Sequence, residues 1–257
     1  MKQYSKGHRL LRLALAQGLV GVFLASGTAG ATTQTINTPV AGSVTINAPV
    51  DDVQIQTGAA VSGSIINNNI ANTAFTMTGG STGFSITSVG GNDTFTMSGG
   101  TVGSALVNGH RVIMGEGNNT IKISGGIVNG GVNAGSGSDN IEISGTALTG
   151  SIVPYAVGFN SALDTVVIKD SAHIRNTSGT ENWCVGTGNG NSIIFIQGNA
   201  ILDGGIRTDA GTDSVFISGG TIGKESFTSS HAGASIIGRG NLTVEMTSGT
   251  LAGGIRI

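Results

Sequence analysis

Charge is scarce in this sequence. Of 257 residues only 10% are Asp, Glu, Lys or Arg, far below the ~25% of an ordinary soluble domain. The twelve basic residues, four of them in the first twelve positions, leave no basic face for a nucleic acid. Proline occurs three times and without a Gly-X-Y period, which excludes collagen. Cysteine occurs once, as Cys184, so no intramolecular disulfide can form and stability must come from packing and hydrogen bonds. Disorder is excluded as well, because hydrophobic residues make up 38% and Ile, Val and Thr run throughout. Glycine is abundant, at 45 residues. Few charges, few aromatics, many β-branched residues and many glycines describe an all-β chain rather than a helix-rich enzyme.

The N-terminus reads as an address. Lys2, Lys6, Arg9 and Arg12 precede an apolar run from Leu13 to Leu24, which ends in small residues at Ala29-Gly30-Ala31. That is the three-part pattern of a secretory signal peptide, expected over 1–31. The run is too short for a membrane-spanning helix, which needs ~20 apolar residues. Removal of 1–31 leaves 8 basic residues against 14 acidic ones, a formal charge of −6.

The remainder is repetitive. Two apolar residues separated by one polar residue recur before a small or polar corner: Val53/Ile55, Phe75/Met77, Phe95/Met97, Ile121/Ile123, Ile141/Ile143, Val166/Ile168, Ile194/Ile196, Val215/Ile217 and Val244/Met246. The second residues are spaced by 22, 20, 26, 20, 25, 28, 21 and 29 positions, so nine units are expected. Five residues after this anchor comes a mostly apolar position: Val102, Val128, Leu148, Ile201, Ile222 and Leu251, with Thr82 and His173 as departures. Nine residues after it come Ile86, Leu106, Val132, Ile152 and Ile255. Period-2 alternation marks a strand with one buried face. Each unit therefore reads as strand, Gly corner, second strand and Gly-rich return, with Thr76, Thr96, Lys122 and Glu142 facing solvent.

Two strands of four or five residues cannot bury an apolar face alone. Stacked in parallel at ~4.8 Å, they align their inward side chains into ladders, and variable intervals become loops leaving the stack. The expected fold is a parallel β-helix, a solenoid over 53–257, about 40 Å long from the strand spacing. An N-terminal cap region is expected over 32–52, where Pro39 and Pro49 suit an edge that needs no ladder donors. A β-sandwich is disfavoured, because it would turn every 8–12 residues without repeating one corner nine times.

The repeats GGNDTFTMSGGTVG at 90–103, GSGSDNIEISGTALTGSI at 135–152 and AGTDSVFISGGTIG at 210–223 resemble the passenger regions of bacterial autotransporters and related adhesin-like β-helical surface proteins. The resemblance spans about 32–257. It implies a right-handed coil, export by the signal peptide, and display at the cell surface by an outer-membrane β-barrel. No series of amphipathic barrel strands occurs in the chain, so the expectation is a barrel encoded elsewhere, a truncated passenger or a small exported β-helix.

Candidate chemistry is sparse. The segment 134–142 approximates a calcium-binding nonapeptide, with Asp139 at its acidic position and Asp93, Asn119 and Asp213 at the same place in other units. Calcium needs six to eight oxygens from closely spaced turns, whereas these copies are 20 or more residues apart. The simpler reading is that Asp or Asn closes its own turn and starts the strand. Asp51-Asp52 is the only adjacent carboxylate pair, and neighbouring strand residues point to opposite faces. His110-Arg111 and the lone His173 and His231 show no metal-ligand spacing. Cys184, beside Trp183, lacks a signature of a catalytic thiol. No catalytic, cofactor or metal residue is therefore assigned. The expected function is that of a non-enzymatic, adhesin-like or structural passenger meeting host or neighbouring-cell surfaces. Specificity is expected in the long insertions near 153–163, 175–191 and 223–240. A β-helical carbohydrate-active enzyme and a calcium-binding secreted repeat protein are the alternatives.

Overall fold

A computed structural model describes residues 32–47, 49–105, 109–150, 152–153, 163–175, 183–223 and 234–257; the expected signal peptide at 1–31 lies outside them. The described chain is all β, and every strand pairing in it is parallel. It winds as a solenoid of ten coils with three faces. Face A holds Thr33–Ile36, Asp52–Ile55, Ala74–Met77, Thr94–Met97, Thr120–Ile123, Asn140–Ile143 and Leu163–Ile168, then the first halves of Asn191–Leu202, Thr212–Ile222 and Asn241–Leu251. Face B consists of short strands such as Ala60–Val61, Thr101–Val102 and His173–Ile174, and of the second halves of those last three long strands. Face C is a separate ten-stranded sheet running from Val44–Ile46 to Gly254–Arg256.

Alternation sets this register. Val53, Phe75, Phe95, Ile121, Ile141, Val166, Ile194 and Val215 stack as one inward ladder, and Ile55, Met77, Met97, Ile123, Ile143, Ile168, Ile196 and Ile217 as a second. All are buried. Each such side chain contributes about 1.5–3 kcal/mol by leaving water, and slipping one strand by a residue would turn its whole apolar set outward. The outward ladder between them runs Gln54, Thr76, Thr96, Lys122, Glu142, Val167, Phe195, Phe216 and Glu245. Lys169 Nζ reaches Glu142 Oε1 at 3.0 Å between adjacent coils, and Phe195 stacks on Phe216 with ring centroids 5.2 Å apart.

The corner between faces A and B explains both the glycines and a phase error in the expected repeat. Gly80, Gly100 and Gly126 bend at left-handed φ of +75°, +93° and +86°. A Cβ on Gly100 would lie 2.7 Å from the carbonyl oxygens of Gly79 and Gly80, so only glycine fits there. In four coils the corner is one residue longer, with Ala59, Ala147, Ala172 and Ala200 buried at the bend. The extra residue reverses the alternation. Thr149, Ile174 and Leu202 point inward, and the expected Leu148, His173 and Ile201 point outward.

Two further expectations change. Ten coils form rather than nine units, because Thr33–Ile36 pairs in register with Asp52–Ile55; its single inward apolar anchor, Ile36, hid it from the paired-anchor pattern. The stretch 32–52 thus contains strands of all three faces, with Pro39 on a strand that pairs, among the described residues, with Ala60–Val61. The inward row of face C runs Ile65, Ile86, Val112, Val132, so Val112 occupies the place expected for Leu106, which lies outside the described residues. In the last of the described coils Met246 is 41% and Ile255 46% exposed, where their ladder partners Ile217 and Ile236 are buried.

Candidate functional site

The most distinctive chemistry lies under the corner where face C returns to face A. Two residues before the first inward residue of seven face A strands stand Thr73, Asp93, Asn119, Asp139, Asp164, Ser192 and Asp213, and all seven are buried. Asn119 closes its own turn as the sequence suggested, Nδ2 donating to Gly117 O at 3.0 Å, and Thr73 Oγ1 donates to Ala71 O at 3.3 Å, but the seam also ties coil to coil. Each of four reaches back one coil to a backbone amide. The amide of Thr73 donates to Asp93 Oδ1 at 2.8 Å, Asp93 to Asn119 Oδ1 at 2.9 Å, Asn119 to Asp139 Oδ1 at 2.7 Å, and Asp139 to Asp164 Oδ1 at 3.0 Å. A short polar side chain that bonds the backbone is favoured at such turns; here it satisfies an amide of the neighbouring coil.

One residue earlier, a second ladder runs in the opposite direction on the outside. The amides of Asn92, Asn118 and Ser138 donate to Asn72 Oδ1, Asn92 Oδ1 and Asn118 Oδ1 at 2.7–2.8 Å. Leu163 N donates to Ser138 Oγ at 3.3 Å, and Thr212 N to Asn191 Oδ1 at 2.8 Å. The recurring dipeptides Asn92-Asp93, Asn118-Asn119 and Ser138-Asp139 are therefore paired fasteners, one aimed forward and one back. Each such bond is worth about 0.5–1.5 kcal/mol, more where the acceptor is charged.

Burying carboxyls in this seam costs solvation. Burial pushes Asp139 up to about 7 against the pull of the Asn119 amide, and the neighbouring Asp164 adds to the rise. Burial also pushes Asp164 up to about 6, opposed by the Asp139 amide and helped by Asp213. Asp213 rises to about 6 from burial, opposed by Ser192 and Thr208 and helped by Asp209. Asp93 is raised by burial too, with Ser88 and Thr73 pulling against it. Opposite the carboxyls, the inward end of face C supplies Asn67, Ser88, Thr187 and Thr208, all buried. Asn67 Nδ2 bonds Thr73 Oγ1 and Ser88 Oγ at 3.1 and 3.0 Å. The seam is thus a polar strip along one edge of an otherwise apolar interior.

The other sequence candidates are dispersed. Asp52 accepts from Thr33 Oγ1 and Gln54 Nε2, while Asp51 is exposed. On the outer row of face A the carboxylates Glu142 and Glu245 stand four coils apart, ~19 Å at the strand spacing, too far for a hydrolytic carboxylate pair. His110 is shifted down by burial, and the Arg111 guanidinium lies 5.6 Å above the Phe84 ring. His173 Nε2 meets Asp203 Oδ1 at 2.8 Å, and Arg175 spans to Val128 O at 3.1 Å. Cys184 is buried, its Sγ accepting from Gly204 N at 2.9 Å and donating to Ile174 O at 3.2 Å. His231 lies outside the described residues, as do most of 153–163 and 223–240 and part of 175–191. Among the described residues no three His, Cys, Asp or Glu side chains gather as a metal centre would need. Nor is any helix among them long and apolar enough to cross a membrane.

The backward fastening of the buried carboxyls was invisible in the sequence, since a turn Asp looks the same whether it bonds its own loop or the loop above. Its only trace was the polar dipeptide preceding each strand. Compared with protein-family models, with curated proteins and with solved structures, the chain matches none of them.

Proposed function

We propose that the chain is an exported, surface-displayed parallel β-helix, right-handed and non-enzymatic, acting as an adhesin-like or structural passenger of the autotransporter type with 1–31 as its signal peptide. One observation carries this reading: strand register continues across segments of very different length. Between faces B and C most coils use short links such as 62–64 and 129–130, yet the same corner carries 103–109, 175–182 and 223–233. Pairing resumes on both sides, with Thr101 opposite Ile127 and Val112 opposite Val132. A scaffold that tolerates insertions repeatedly along one edge supports a role in presenting loops, because solenoids offer extended surface rather than a single pocket. The partners in this reading are ligands on host or neighbouring-cell surfaces, and an outer-membrane barrel provides anchorage.

The test is fractionation of producing cells with N-terminal sequencing and labelling by a membrane-impermeant biotin reagent. The reading expects a mature N-terminus near Thr32 and labelling on intact cells. Full-length chain retained in the cytoplasm would refute it. Shortening 175–182 to a two-residue link should then leave display intact and reduce attachment to the target surface.

A further inference from the structure

The three long segments at the corner from face B to face C, 103–109, 175–182 and 223–233, are followed by the same irregularity. Among the described residues the pairing of face C shifts register at three places. His110 is opposite Gly131 and Val112 opposite Val132, Trp183 opposite Gly205 and Val185 opposite Ile206, and Ala234 opposite Gly254 and Ile236 opposite Ile255. One extra residue is left on the re-entering strand each time, namely Arg111, Cys184 or Ser235. Bulges are rare between parallel strands, and they re-aim a side chain. The coil that follows is matched to each bulge. Its link into face C carries Gly130-Gly131, Gly204-Gly205 or Gly253-Gly254, where Gly63-Ser64 and Phe84-Ser85 stand in other coils. A Cβ on Gly205 would lie 3.0 Å from the Trp183 ring, and one on Gly130 would run into Arg111 Cγ.

At two of the three places the extra side chain makes the same pair of hydrogen bonds. Cys184 Sγ donates to Ile174 O at 3.2 Å and accepts from Gly204 N at 2.9 Å. Ser235 Oγ donates to Ile222 O at 3.3 Å and accepts from Gly253 N at 2.7 Å. Ile174 and Ile222 are the last inward residues of face B before 175–182 and 223–233, so the first bond of each pair joins the two ends of a long segment. The second bond ties that base to the next coil. Both side chains are fully buried, and thiol and hydroxyl are small groups that donate and accept at once. The third bulge differs, because the Arg111 guanidinium lies 5.6 Å above the Phe84 ring.

We infer that Cys184 and Ser235 are positioning residues for the insertions 175–182 and 223–233, each a clip that fastens both ends of its insertion to one another and to the next coil. The bulge turns the clip residue inward, and the glycine pair of the next coil brings an amide within its reach. Joining the ends places the entropy of closing the loop on the scaffold, so insertions of different length leave the edge from the same base. The clip rests on the loop-presenting reading for its purpose, and on hydrogen-bond geometry alone for its existence.

The test is amide hydrogen exchange of the full chain, read residue by residue by NMR, in the wild type, Ser235→Ala, Cys184→Ala and Ser235→Cys. Ser235→Ala should speed exchange at the Gly253 amide by at least about fivefold, from the loss of one hydrogen bond, and leave the Gly204 amide unchanged. Cys184→Ala should do the reverse. The amides of Phe95 and Ile121, in coils away from both clips, should not change, which separates a loosened base from a general loss of stability. Ser235→Cys keeps a donor and an acceptor and should restore protection at Gly253. If one alanine variant does not fold, the other carries the same test at its own glycine. Exchange that rises equally at all these amides, exchange unchanged at Gly204 and Gly253, a Ser235→Cys variant as fast as Ser235→Ala, or failure of both alanine variants to fold would overturn the clip. Failure of export would leave these rates untouched and would refute surface display alone.

Discussion

Replacing Asp139 by Asn tests the energetics of the buried seam. The Asp139 carboxyl sits at about 7 in the fold and near 3.9 in an unfolded chain. A raised folded value means that the native state prefers the protonated acid. Its contribution is fully present below pH 4 and is lost as pH rises through 7. At about 1.4 kcal/mol per unit, the loss at Asp139 alone amounts to about 4 kcal/mol, and Asp164 and Asp213 act in the same direction between pH 4 and 6. Asparagine keeps an Oδ1 acceptor for the Asn119 amide and removes the charge. The neighbouring rung shows how its amide would be accommodated: Asn119 Nδ2 donates to the carbonyls of Gly115, Gly117 and Ala134 at 3.3, 3.0 and 2.8 Å. Asp139→Asn is therefore expected to stabilise the protein at pH 8 by a few kcal/mol, to change little at pH 4, and to flatten the pH profile. Urea unfolding followed by far-UV circular dichroism from pH 4 to pH 9 measures this directly. A wild-type stability that rises with pH over this range, or a variant less stable than wild type at pH 8, would refute the reasoning.

Gly100→Ala should destabilise by about 2 kcal/mol or more, since the left-handed φ penalises any Cβ by 1–2 kcal/mol and the added carbon meets two carbonyl oxygens at 2.7 Å; chemical denaturation checks it. Ile141→Ala, inside a closed ladder, should cost about 2–5 kcal/mol. On the outer row of the same face, Phe195→Ala should cost less, about 0.5–1.5 kcal/mol from its stack on Phe216, and equal losses at the two positions would contradict the inward and outward assignment. Cys184→Ser should destabilise by about 1–3 kcal/mol, because a harder, smaller group must replace a sulfur that both accepts and donates in a dry core; an unchanged midpoint would contradict that packing.

Much of the architecture was legible because period 2 is a strong constraint. Pairs such as Phe75/Met77 and Phe95/Met97 leave little freedom once one face must be dry, and the structure stacks them in register. Less legible was anything decided by a single residue of corner length. Leu148 and His173 are the same distance from their anchors as Val128, yet the longer corner with Ala147 or Ala172 turns them outward. Propensity does not report that shift, because alanine suits either corner length. The buried Asp ladder was half visible: the positions of Asp93, Asn119, Asp139 and Asp213 were singled out, but their partners belong to another coil and lie 20–26 residues away in the bonds of Asp93, Asn119 and Asp139. Asp164 is hidden in the sequence because Leu163 precedes it where other units have Asn, Ser or Thr. Ser192 and Thr208 carried no signal of their own, since their pairing with Asp213 is made between coils and across a turn.

In the solenoid, successive units advance by one strand spacing along a common axis, and the buried seam depends on that geometry. Pulsed electron paramagnetic resonance between spin labels on the outward row of face A tests it, with Cys184 replaced by Ala so that only introduced cysteines are labelled. Pairs Gln54/Glu142 and Gln54/Glu245 are separated by four and eight coils, so their distances should be about 19 and 38 Å at 4.8 Å per coil, broadened by the label linkers. Distances that grow in proportion to coil number are the predicted result. Distances that do not scale with coil number, as in two packed sheets whose strands double back, would contradict the solenoid and the seam built on it.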